Sequence, residues 1–295
     1  MKTLEITQRI ALRRILFATD FSPYSNAALP YALAIAHQYG AKLFATHVMS
    51  SDSYLFAPPE SWSALVDQAE PRLLDVARLE EHLRGVPHQV MNPVGDISDV
   101  LFRLVRDHEI DLLVLGTHGR TGLPKLLMGS VAEKIFRQAS IPVLTVGPGV
   151  TRDPTKIAQF NRILFATDFS DESLAAAPYA LSLAQEHEAH LSLLHVLEHP
   201  HAGTVDYESN ADFVIRRLEG LVPMESGLWF RSNYAVEFGT AEQQILKFAE
   251  LHKADLIVLG VRAPQGAINT LTHLAHSKSQ QIVAHATCPV LTVRG

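Results

Sequence analysis

The segment from Gly116 to Lys134 reads GTHGRTGLPKLLMGSVAEK and holds the residue types that most directly suggest chemistry. Glycines at 116, 119 and 122 let the backbone turn tightly and approach a ligand with no side chain in the way. Gly129 and Ser130 then open a helical pattern, and Ser130 with Glu133 has the S-x-x-E spacing of a capping box. Main-chain N–H groups at a helix start, at the positive end of its dipole, suit a phosphate. Glycine loop and helix start together predict an anion cradle built of backbone, and the alternative is a tight surface turn. Arg120 and Lys125 either neutralise phosphate charge there or lie solvated on the surface. Neither the GxxxxGK[ST] phosphate loop nor the GxGxxG spacing of dinucleotide folds is present.

Catalysis has less material. There is no carboxylate pair at a recognisable spacing, no Ser-His-Asp signature and no phosphate-loop lysine. His118, inside the glycine loop, is a weak candidate for a base that activates water. Any hydrolysis of a bound phosphate ester is therefore expected to be slow. Of the 15 histidines, nine lie in the second half; His187, His190, His195, His199 and His201 cluster, and His273 and His276 stand three apart on a helical pattern. Metal ligation needs three or four converging ligands, so these read as structural or solvated, and no metal is assigned to them. Cys288 precedes the last strand pattern and reads as buried and inert.

Those residues must be positioned by elements, and the elements are written twice. RILFATDFS runs from Arg14 to Ser22 and again from Arg162 to Ser170. DLLVLG at 111–116 returns as DLIVLG at 255–260, and PVLTV at 142–146 returns at 289–293. Landmarks in the same order at nearly constant offset mean tandem domains: residues 1–147, a Gly/Pro-bearing linker at 148–161, and residues 162–295. In the first copy Ile15–Ala18, Leu43–Val48, Leu112–Leu115 and Val143–Val146 are apolar runs of the buried-strand kind. Ser22, then Pro23, then an alanine-rich stretch to Ala36 predicts an N-cap, a first-turn proline and a helix. Ile97, Val100, Leu101, Leu104 and Val105 fall on one helical face. Strand and helix alternate, so each copy is expected to be a doubly wound, five-stranded parallel α/β domain, with right-handed crossovers. Ligands of such sheets bind at the carboxyl ends of the strands. Asp20, Val48 and Gly116 are expected at that edge, although Asp20 and Asp168 can equally cap a turn and Val48 can offer a ligand only its backbone.

Composition sets the class. A 295-residue chain with 47% hydrophobic and 19% charged residues is globular, not disordered. A net charge of −6 and a pI near 6.2 argue against a nucleic-acid binder and give no reason to expect a membrane surface as partner. No apolar run reaches the length of a membrane span, the N-terminus has no secretory pattern, and one cysteine cannot form an internal disulfide. The expectation is a soluble cytoplasmic protein.

Gly116-x-x-Gly119, nine residues, then Gly129-Ser130 resembles the ATP-binding signature of the universal stress protein family. ATDFS after the first strand, His47-Val48 and the PVLTV strand are also similar to that family, and the likeness covers both copies. The resemblance implies two tandem Rossmann-like, adenine nucleotide α-hydrolase-like domains, ATP with Mg2+ as ligand, and a role in stress survival. It implies that Asp20 and Val48 meet the adenine, that Gly116 lies against ribose and phosphates, and that Gly119, Gly129, Ser130 and the backbone of Val131 hold the phosphates, with Arg120 beside them. It further implies that the last strands of the two copies pair as a built-in pseudo-dimer, with a homodimer of whole chains and an unidentified protein partner still open. The second copy departs from the pattern: Ala263 stands for Gly119, Pro264 for Arg120 and His276 for Gly129. Proline offers no N–H and restricts its predecessor. The first copy is therefore expected to bind nucleotide and the second not to bind it by that loop. The alternatives are a nucleotide-free scaffold and a slow ATPase.

Overall fold

The computed structural model describes residues 10–49, 69–118, 128–150, 158–198, 207–223, 230–262 and 277–295. The first half runs β1 (Arg14–Ala18), α1 (Pro23–Asn26), α2 (Leu29–Tyr39), β2 (Lys42–Thr46), α3 (Ala69–His82), β3 (His88–Met91), α4 (Ile97–Asp107), β4 (Leu112–Gly116), α5 (Ser130–Gln138) and β5 (Val143–Val146). The second repeats it with β6 (Arg162–Ala166), α6 (Asp171–Leu174), α7 (Ala177–Glu186), β7 (His190–Leu197), α8 (Tyr207–Glu219), β8 (Ser232–Phe238), α9 (Ala241–Leu251), β9 (Leu256–Val261), α10 (Lys278–His285) and β10 (Val290–Arg294).

All ten strands form one sheet in the order β3-β2-β1-β4-β5-β10-β9-β6-β7-β8. Each half is parallel throughout, and the strand order reverses direction between β1 and β4, and between β6 and β9. The halves meet where β5 and β10 run antiparallel, with Leu144 opposite Leu291. The join is two-fold in its details. Thr145 Oγ1 donates to the Val290 carbonyl at 3.1 Å, and Thr292 Oγ1 donates to the Val143 carbonyl at 3.3 Å. Strands this apolar need cover on both faces. Two apolar layers supply it, one packed under α2 and α7 and one under α4, α5, α9 and α10, and each draws residues from both halves.

Several expectations change in detail. The helix expected from Ser22 to Ala36 is two pieces. Ser22 does cap α1, accepting from the Ser25 N–H at 3.1 Å, but Pro30 in the first turn of α2 has no N–H to continue the α1 ladder. The second half breaks in the same place, at Pro178. β2 ends at Thr46, so Val48 lies beyond the strand. β3 and β8 were not singled out in the sequence. The end of the connecting segment is part of the core. Phe160 is 1% exposed, its ring 5.8 Å from that of Tyr31 and 5.0 Å from that of His187, and the Ala158 N–H bonds the Pro30 carbonyl. Among the described residues, no helix is long and apolar enough to cross a membrane.

Candidate functional site at the carboxyl ends of the strands

The turn after β1 is held by its own side chains. Phe21 has φ +61°, a left-handed conformation that a bulky residue adopts only under constraint. The constraint is visible. The Phe21 N–H bonds Thr19 Oγ1 at 2.9 Å, the Ser22 N–H bonds Asp20 Oδ1 at 3.0 Å, and the Phe21 ring lies 4.7 Å from that of His47. His47 Nδ1 in turn donates to the Thr19 carbonyl at 3.0 Å. Phe169, Asp168, Thr167 and His195 repeat the arrangement in the second half. The repeated histidines are thus explained by the fold, though His47 lies just after its strand and His195 within its own. Asp20 and Asp168 both carry the turn-capping role. Burial would raise the Asp168 carboxyl, but the hydroxyl and N–H of Ser170 outweigh it and hold the group below the usual carboxylate range. In the first half the Ser22 hydroxyl turns instead to Ser25.

Gly116 ends β4 beside the start of α1. A Cβ there would lie 2.8 Å from the Tyr24 carbonyl oxygen and 3.0 Å from Ser25 Cα, so the close approach of backbone to backbone needs glycine. The next residue closes the loop at its base. Thr117 is fully buried, its N–H bonds the Val146 carbonyl, and its own carbonyl accepts from the Gly129 N–H at 2.8 Å. His118 Nδ1 lies 3.0 Å from Thr117 Oγ1, and its ring is 5.9 Å from that of Tyr24. Gly119, Arg120, Gly122 and Lys125 lie outside the described residues, as do Ala263, Pro264, His273 and His276.

Ser130 is not the helix cap that its spacing suggested. Gly129 occupies the N-cap, no side chain caps the helix, and Ser130 is the first helical residue. The N–H groups of Ser130, Val131 and Ala132 therefore point out of an open helix start, as the first turn of any helix requires. The second half differs. Ser277 is the N-cap of α10 and forms the full capping box, accepting from the Gln280 N–H at 3.2 Å while Gln280 Oε1 accepts from its own N–H at 2.9 Å. α5 begins one residue earlier than α10 relative to the shared Pro142 and Pro289.

The second strand of each half differs in length, ending at Thr46 in one and at Leu197 in the other. Val48 lies past the end of β2, and neither its N–H nor its carbonyl forms a backbone hydrogen bond among the described residues. Its counterpart Val196 sits inside the β7–β8 ladder, opposite Glu237. The gap beside β9 is also tighter, for a Cβ on Gly260 would lie 2.1 Å from the Glu172 carbonyl oxygen. The structure therefore brings the backbones of Asp20, Val48, Gly116, Gly129, Ser130 and Val131 to the carboxyl edge of one half. Among the described residues, no group of three or more His, Cys, Asp or Glu side chains could hold a metal. Burial pushes the Cys288 thiol up to about 12, so it stays protonated and unreactive near neutral pH.

Fold and edge together define a tandem Rossmann-like α/β protein with an open helix start in one half and a capped one in the other. Comparison with known proteins narrows this class. The sequence profile of the universal stress protein family matches twice, over residues 11–147 and 159–294. A universal stress protein of Methanocaldococcus jannaschii is 31% identical over 139 residues, covering 45% of this chain and 81% of the relative. One from Thermus aquaticus is 36% identical over 146 residues, covering 46% of this chain and 99% of the relative. A crystal structure of a universal stress protein from Archaeoglobus fulgidus covers 97% of this chain and 99% of its own, with a TM-score of 0.72 and 23% identity. The chain belongs to the universal stress protein family, with two such domains in tandem.

Proposed function

We propose that the first half, residues 1–147, binds ATP with Mg2+ and that the chain acts as a nucleotide-dependent regulatory or protective module in a stress response. The second half, residues 162–295, serves as a partner domain that does not bind by the same loop. The observation that carries this is the helix start at Gly129. α5 leaves its first-turn N–H groups uncapped by any side chain, while α10 covers its own with Ser277 and Gln280. An uncapped helix N-terminus accepts phosphate oxygens, and a capped one has already used part of that capacity. Val48, with neither backbone group bonded to another backbone group among the described residues, leaves both for an adenine edge.

In this reading Asp20, Val48 and Gly116 meet adenine and ribose, and Gly119, Arg120, Gly129, Ser130 and Val131 hold the phosphates. Mg2+ would arrive with the triphosphate and keep water and phosphate oxygens as ligands. Hydrolysis in this reading is slow, with His118 as a candidate base. A homodimer of whole chains and a protein partner that reads the nucleotide-bound surface complete the proposal.

Thermal unfolding with and without Mg·ATP tests it. A ligand that binds only the folded state raises the melting temperature with its concentration. ATP is expected to raise it, and Gly129→Glu to abolish the rise while leaving the far-ultraviolet dichroism unchanged. No shift at millimolar ATP would favour the nucleotide-free scaffold, and a shift that survives Gly129→Glu would move the site elsewhere.

A further inference from the structure

The amino-end edge of the sheet, opposite the proposed nucleotide site, also differs between the halves. In the first half Phe44 fills the space between β2 and the end of α4. Its ring is buried, 4.7 Å from that of His108, with the Lys42 ammonium 4.6 Å from its centroid. Below it Arg14 is ion-paired with Glu109 at 2.7 Å. β1 pairs β2 with Arg14 opposite Lys42, and β6 pairs β7 with Arg162 opposite His190. The counterpart of Phe44 is therefore Ser192. α4 and α9 are followed alike by a residue of positive φ, Glu109 at +46° and Lys253 at +53°, so Lys253 replaces Glu109.

Two consequences follow from these exchanges. Loss of the ring leaves a cavity of about 480 Å³, within the range of small-molecule sites. Its floor is apolar, formed by Ile163, Leu164 and Phe248, and the Phe248 ring stacks on that of His252 at 4.0 Å. Ser192 lines it while only 8% exposed, and its hydroxyl has no hydrogen-bond partner among the described residues. Exchange of Glu109 for Lys253 removes the acidic partner of the arginine and adds a cation. The Arg162 guanidinium, on the cavity rim with His190 and His252, forms no ion pair among the described residues. The nearby Asp255 carboxylate accepts the N–H groups of Asn161 and Arg162 at 3.0 Å each, as Asp111 does for Arg13 and Arg14 in the first half, so it does not account for the difference.

We propose that this cavity binds a small organic carboxylate with a planar apolar body. The guanidinium fork of Arg162 matches a carboxylate in two parallel hydrogen bonds, and the two imidazoles add donors beside it. The apolar body lies over Phe248 and Leu164, and the Ser192 hydroxyl gains the partner it lacks. The site is at the opposite sheet edge from the proposed nucleotide site and stands without it.

Saturation-transfer NMR on the full chain, with benzoate as the probe and benzamide as its neutral control, tests the proposal. Benzoate is expected to give a saturable signal that ATP does not displace, and benzamide to give a far weaker one. Ser192→Leu, which fills the space, and Lys253→Glu, which restores the acidic residue of the first half on an exposed turn, are each expected to weaken benzoate about tenfold. No signal with millimolar benzoate, equal signals from benzoate and benzamide, or benzoate binding unchanged by Lys253→Glu would each overturn it.

Discussion

His187 sits where the two halves and their connecting segment meet, and its charge state should report on that packing. It caps the end of α7 with its ring 5.0 Å from that of Phe160, and its Nε2 is closed off from water with no hydrogen-bond partner among the described residues. Burial lowers its pKa from 6.5 to about 4. The folded state therefore prefers the neutral ring, and the unfolded chain takes up the proton first as pH falls. The associated stability is fully present above pH 6.5 and is lost between 6.5 and about 4. A displacement of that size corresponds to at most about 3 kcal/mol. The ring is only partly enclosed, so screening by water brings the expected loss to about 1–2 kcal/mol. Urea unfolding at a series of pH values, on the native chain and on His187→Gln, reads it directly. The variant loses some packing against Phe160 at every pH, but its stability should fall less steeply between pH 6.5 and 4. Subtracting the two curves removes the contributions of His195, which burial also lowers, and of His88, which its bond to the Val86 carbonyl raises. Parallel curves would refute the reasoning and mean that the ring reaches water in solution.

Three further substitutions separate structural roles from binding roles. Ser277→Ala removes the hydroxyl that accepts from the Gln280 N–H at the start of α10 and should cost about 1 kcal/mol, while Ser130→Ala, which removes no cap, should leave the denaturation midpoint nearly unchanged; equal effects would contradict the observed helix starts. Gly116→Ala forces a Cβ against the backbone of Tyr24 and Ser25, and should cost about 1–3 kcal/mol, measurable as a lower melting temperature without any ligand present.

The repeat was the most legible feature, because RILFATDFS, DLLVLG and PVLTV sit on buried strands, where a continuous apolar run has one reading. β3 was harder. His88-Gln89-Val90-Met91 has little apolar signal, since this strand lies at the sheet margin and its residues are half-buried or exposed. The break between α1 and α2 was present in Pro30, but the alanines around it read as one helix. Ser130 and Glu133 have the spacing of a capping box, yet spacing alone cannot tell N-cap from N1, and the N-cap here is Gly129. The cavity beside Ser192 could not be seen in either copy alone. It needed strand register to show that a buried phenylalanine and a buried serine occupy the same place.

The β5–β10 join makes the pairing of the halves independent of dilution. Two separate chains would part at low concentration, whereas these are held at a fixed ratio by their own backbone. Covalent union also frees each side to change alone. In an assembly of identical subunits every mutation strikes both faces at once; here a serine, a lysine or a capping box can appear on one side only, and one ancestral surface can become two specialised ones.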